Sequence, residues 1–162
     1  MITAMLLSLR SQMKSAAPPN ARILLVDDNR DGLVVRRSLL EELGFHVEVA
    51  GNGEEALKLF LSTTFDVVVT DYRMPRMNGA ELIVQIRERD PNARIILLSG
   101  FVEPLGLSEQ NTGANAVIAK SSSEPAHLVR WVKRLLNEPA RRKPPGKQAT
   151  AARATPRKNL AH

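Results

Sequence analysis

Five polar residues stand where short apolar runs of the chain stop. Asp27 and Asp28 follow "RILLV" (22–26), Asp71 follows "DVVVT" (66–70), Ser99 closes "RIILLS" (94–99), and Lys120 follows "AVIA" (116–119). Three carboxylates brought together repel one another, so a cation has to sit among them. The chain has no Cys and places no His at these positions, which leaves an all-oxygen donor set. Such a set favours a hard ion that keeps several waters, and Mg²⁺ fits. A carboxylate is also a nucleophile able to form an aspartyl-phosphate. Phosphoryl transfer then calls for positive charge on the equatorial oxygens, which the metal and Lys120 would supply, with Ser99 hydrogen-bonding the transferred group. Taken singly, the same residues have plainer readings. Asp27 and Asp28 would suit the cap of a helix opening near Asn29, and Asp71 a turn before Pro75.

Only certain elements can bring these five together. Three of the runs are continuous and rich in β-branched residues, as strands buried on both faces should be, and "HVEVA" (46–50) alternates like an edge strand. Helix-period stretches lie between the runs. Val35, Leu39 and Leu43 recur ahead of Gly44; Ala56, Leu57, Phe60 and Leu61 follow Asn52; Leu82, Ile83 and Ile86 follow Gly79. Leu128, Trp131, Val132, Leu135 and Leu136 give the clearest stripe, with Ser123 placed to cap it. The segment 102–115 is weak, because Pro104 and Gly106 leave little room for a regular helix. Five βα units predict a doubly wound α/β fold, a five-stranded parallel sheet with helices on both faces. Ligands of such sheets gather outside the carboxyl ends of the strands, which is where all five polar residues fall.

Charge divides the chain into three. Residues 21–137 carry 14 basic and 16 acidic side chains, so the overall +6 comes from the ends: +2 in residues 1–20 and +6 in residues 138–162. Residues 1–20 read as an N-terminal extension, 21–137 as the globular domain, and 138–162 as a basic tail too poor in large apolar residues to fold. On that reading no output domain follows the globular one. Ile2, Met5, Leu6, Leu9 and Met13 fall at helical spacing in the extension. No basic segment precedes that apolar start, so it is not read as a signal peptide, and no apolar run approaches a membrane span. The lack of cysteine excludes disulfides and suits a cytoplasmic location. The tail's charge would let it touch nucleic acid or another anionic surface, although it holds no aromatic for base stacking; a solvated tail is the simpler reading.

The stretches "ILLVDDN" (23–29), "VVVTDYRMPRMNGAEL" (67–82), "IILLSGF" (95–101) and "GANAVIAK" (113–120) occur in an order that resembles the receiver domain of bacterial two-component response regulators. Separations of 43, 28 and 21 residues between Asp28, Asp71, Ser99 and Lys120 agree with it. The resemblance covers residues 21–137 and implies a flavodoxin-like fold with strand order 2-1-3-4-5. It implies Asp71 as phosphoacceptor, with Asp27, Asp28, Asp71 and the backbone carbonyl of Arg73 holding Mg²⁺. Ser99 would move toward the phosphoryl group and Lys120 would contact it. The donor would be a phosphohistidine on a sensor histidine kinase or a phosphotransfer protein, and the output a contact with a downstream protein. The chain would then be a signalling switch and not an enzyme, a monomer or weak dimer.

Three positions depart from the family pattern. Val117 stands where an aromatic switch is usual. Ser121 follows Lys120 in place of proline, so that peptide is expected either trans with an altered Lys placement or cis. The weak segment 102–115 replaces a regular fourth helix. Two competing readings differ in class. Phosphatases with an aspartyl nucleophile place a second acid two residues later, where this chain has Arg73. A DNA-associated adaptor would act through the basic tail.

Overall fold

The computed structural model describes residues 20–100 and 105–139. Strands β1 (Arg22–Val26), β2 (His46–Ala50), β3 (Val67–Asp71), β4 (Ile95–Ser99) and β5 (Ala116–Ala119) alternate with helices α1 (Arg30–Glu42), α2 (Gly53–Ser62), α3 (Gly79–Arg89), α4 (Glu109–Thr112) and α5 (Glu124–Asn137). The strands form one parallel sheet in the order β2-β1-β3-β4-β5. Every residue of β3 and β4 is buried, which is why their sequences read as unbroken apolar runs. The edge strand β2 keeps exposed and half-buried positions, and so alternates.

Successive residues of a strand point to opposite faces, and the two cores follow that alternation. Ile23, Leu25, Val67 and Val69 pack with Leu33 and Leu40 of α1 and Leu128, Val132 and Leu135 of α5. Leu24, Val26, Val68 and Ile95 pack on the other face with Ala56 of α2 and Leu82, Ile83 and Ile86 of α3. Each fully buried Leu or Ile contributes about 1.5–3 kcal/mol by leaving water. Met74 is buried in the second core and Met77 packs against it, the thioethers filling the irregular space under the β3–α3 loop.

Gly44 ends α1 as expected, at φ +92°. Its N–H donates to the carbonyl of Glu41 and that of Phe45 to the carbonyl of Leu40, a Schellman closure with Phe45 and Leu40 both buried in the first core. The face of α1 differs from the sequence expectation. Leu33 and Leu40 are buried, while Val35 is 62% exposed and Leu43 41%. The inward position between the two leucines is taken by Arg36, whose partners lie inside the fold, so a stripe drawn through apolar residues alone selects the wrong side.

Three smaller differences have local causes. β3 runs one residue further than the apolar run, because Asp71 itself pairs with Leu98 in the ladder. Ser123 stands at the N-cap position of α5 without capping it; its hydroxyl lies 2.9 Å from that of Ser121, and Pro125 sets the helix start instead. Residues 101–104 of the fourth connection lie outside the described residues; its later part holds the short α4, capped by Ser108 and ended by Gly113 in the left-handed region. Arg87 of α3 ties that connection down, donating to the carbonyls of Gly113 and Pro91 and to Asn115. Phe101 and Pro104, the helical spacing of the N-terminal extension and the basic tail lie outside the described residues.

Candidate functional site

The parallel register puts the carboxyl ends of β1, β3, β4 and β5 side by side, and the strand order reverses between β1 and β3. The residues at those ends meet there. Carboxylate oxygens of Asp27, Asp28 and Asp71 lie within 4.8 Å of one another. Asp27 and Asp71 are buried and Asp28 faces solvent. Lys120 Nζ donates to Asp71 Oδ1 at 2.8 Å and stands 3.6 Å from Asp27 Oδ2. Asp27 Oδ1 accepts from the Asn29 N–H at 3.0 Å, but the cap of α1 is Asn29 itself, whose side chain accepts from the N–H groups of Asp31 and Gly32, so the acid pair does not cap the helix.

Electrostatics at Asp71 are balanced between opposing causes. Burial pushes its carboxyl above the ordinary range, the hydrogen bond from Lys120 pulls it back, and the charge of Asp27 pushes it up again; the net direction is upward. Ser99 is buried at the end of β4, opposite Ala119, and its carbonyl accepts the backbone N–H of Lys120 at 2.9 Å. The two strands thus bring Ser99 and Lys120 to the same carboxyl edge of the sheet. Arg73 lines the cleft above the carboxylates with Met74, Pro75 and Gly100.

A hard divalent ion fits these donors. Two oxygens facing each other across Mg²⁺ are roughly 4.2 Å apart, given bonds of about 2.1 Å. The three carboxylates offer oxygens within 4.8 Å of one another, close enough to share one such ion, and every donor is oxygen.

Residues 23–133 match the family model described as the response regulator receiver domain. The chain belongs to that family. A response regulator receiver protein of Anaeromyxobacter sp. (strain Fw109-5) is 40% identical over 108 residues, covering 66% of this chain and 45% of the relative. The chain spans less than half the length of that relative, and less still of two others it matches, the probable histidine kinase 1 of Oryza sativa subsp. indica and the aerobic respiration control sensor protein ArcB of Escherichia coli (strain K12). Among solved structures, the response regulator TrrA of Thermotoga maritima in complex with Mg²⁺–BeF is 36% identical, with a TM-score of 0.63 over 71% of this chain and 98% of that one. The complex of histidine kinase ThkA with TrrA gives 35% identity and a TM-score of 0.65, over 72% and 98%.

As a receiver domain of a two-component response regulator, the chain shows its departures clearly. The Lys120–Ser121 peptide is trans, as is every peptide among the described residues, and Lys120 still reaches Asp71. The altered placement expected for a trans bond is not seen. Val117 is half-buried against the core on the α2 and α3 side.

Two features escaped the sequence reading. One is Gly79, where a Cβ would lie 2.3 Å from the carbonyl oxygen of Asp71. Its N–H donates to Tyr72 O at 2.8 Å, and an Asn78–Glu81 capping box opens α3 just before it, so the helix start presses on the strand end that carries Asp71. The other is Arg36 with Glu124, joined to Asp27 from the far side. A charged residue spaced between Leu33 and Leu40 on one helical face was the available signal.

Proposed function

We propose that Asp71 is the phosphoacceptor of this receiver domain. Asp27, Asp28, Asp71 and the backbone carbonyl of Arg73 would hold Mg²⁺, with Lys120 and Ser99 serving the transferred group. The observation that carries this reading is the ammonium of Lys120 at 2.8 Å from a buried strand-end carboxylate that already shares its cleft with two others. An oxygen of Asp71 attacks the phosphorus of a phosphohistidine. The new O–P bond forms as the N–P bond breaks, and the imidazole leaves with the electron pair and takes a proton. Lys120 faces the oxygens on which charge gathers, and Ser99 offers a hydroxyl from the neighbouring strand. Bound in the cleft, Mg²⁺ supplies charge neutralisation for carboxylates and phosphoryl oxygens alike.

The donor is a sensor histidine kinase or a phosphotransfer protein; the likeness to TrrA, solved with the kinase ThkA, supports that class. Such a donor places the reaction in the cytoplasm, and no helix among the described residues is long and apolar enough to cross a membrane. Signalling proceeds by contact with a downstream protein, which makes the domain a switch and not an enzyme. We take residues 21–137 as the receiver unit, a reading supported by the two cores that the described residues build within those bounds. Incubation with acetyl phosphate and Mg²⁺ tests the assignment by intact mass. The wild-type chain should gain one phosphoryl group, acid-stable and base-labile, and Asp71→Ala none; gain by both, or by neither, refutes it.

A further inference from the structure

Arg36 occupies the inward position of α1 between Leu33 and Leu40, with only 12% of its side chain exposed. Its guanidinium is a fork between two acids. Nη1 donates to Asp27 Oδ2 at 2.9 Å, while Nε and Nη2 donate to Glu124 Oε1 and Oε2 at 2.6 and 3.2 Å. Glu124 is a buried residue at the start of α5, four positions after Lys120. The chain also keeps room for this pair. A Cβ on Gly32 would lie 2.9 Å from Arg36 Nη1 and 3.3 Å from Asp27 Oδ2. A glycine inside a helix costs about 1 kcal/mol against alanine, so its place beside the fork has a steric use.

We propose that Arg36 is a positioning residue that divides its charge between Asp27 and Glu124, and thereby sets the cation affinity of the acidic cleft and ties it to the start of α5. The inference rests on the reading of the cleft as a Mg²⁺ site. A divalent ion entering the cleft competes with Arg36 for Asp27 Oδ2. Glu124 moderates that competition because its bidentate hold neutralises much of the guanidinium. Without the charge of Glu124, Arg36 bears fully on Asp27 and the ion is held less well. Without Arg36, the Asp27 carboxylate is released to the ion. By reciprocity, an ion that takes Asp27 leaves Arg36 to Glu124 and so biases the start of α5.

Opposite shifts from neighbouring residues are the signature, since a merely structural role would move both variants the same way. Mn²⁺ is the probe, with free ion counted by electron paramagnetic resonance and Mg²⁺ as competitor, on the full chain. Arg36→Gln should tighten Mn²⁺ binding and Glu124→Gln weaken it, each about three- to tenfold, as one nearby charge in a partly buried site would give. The double variant should match Arg36→Gln alone. Circular dichroism checks folding; if Arg36→Gln does not fold, Arg36→Lys replaces it, since one ammonium cannot fork two carboxylates and the effect of Glu124→Gln should shrink beside it. Shifts in one direction, no shift, or an undiminished Glu124→Gln effect in either Arg36 background overturns the proposal. If the wild-type chain holds no Mn²⁺ that Mg²⁺ displaces, the metal reading falls and this one with it.

Discussion

Asp71 sits in an arrangement that favours chemistry over stability. It is buried, it shares a cleft with two other carboxylates, and one ammonium partly compensates it. A carboxyl raised in the folded state binds its proton more tightly folded than unfolded. Stability therefore falls as pH rises through that window, and the ionised form weighs against the fold at neutral pH. Without divalent cation, Asp71→Asn is expected to melt at a higher temperature than the wild type at neutral pH. The gap should close below the ordinary carboxylate range, where both states are protonated. A lower melting temperature for the variant, or a gap that ignores pH, contradicts this account of the site.

The contact between β3 and α3 places the carboxylate and depends on one missing methyl group. Gly79→Ala puts a Cβ against the backbone carbonyl of Asp71, the Tyr72 Cα and Leu97, and backbone cannot step aside cheaply. A loss of about 2–3 kcal/mol in urea unfolding is expected, as for other overpacked sites, with slower phosphorylation because Asp71 must move. A change within about 0.5 kcal/mol would show that the helix start yields freely. At this scale the sequence was readable wherever burial alone decides. The unbroken runs of β3 and β4 and the stripes of α3 and α5 matched the structure, and Gly44 marked the end of α1. It was unreadable where polar partners decide. The face of α1 follows Arg36 and its two acids, which are 9 and 88 residues away from it in the chain. The need for Gly79 depends on how closely a helix approaches a strand, which spacing does not express, whereas the Asn78–Glu81 box is a local spacing that the sequence did display. Ser123 does not cap α5, its hydroxyl meeting that of Ser121 instead.

At the scale of the whole chain, the basic excess lies in sequence outside the described residues that build the cores. Both cores are built from residues between Ala21 and Leu136, a region with slightly more acidic than basic side chains, whereas residues 138–162 hold seven basic residues and one acid. Deleting residues 140–162 should leave phosphate uptake within about twofold of the full chain while removing any salt-dependent binding to DNA, an attraction that would come from those charges. Loss of uptake on deletion would place part of the working domain in the tail. At the same scale the strand ends explain how separate stretches of sequence meet: the parallel sheet brings Asp27, Asp71 and Lys120 together at one edge, Asp28 joins them from the loop, and Ser99 ends the neighbouring strand at that edge. The most direct test of that convergence is chemical trapping of the phosphorylated chain. Borohydride reduces an aspartyl-phosphate to homoserine, and mass spectrometry of the digested protein locates it. Homoserine at position 71 and nowhere else is the expected result; its appearance at Asp27 or Asp28, or its absence from a chain that carries phosphate, would contradict Asp71 as the acceptor.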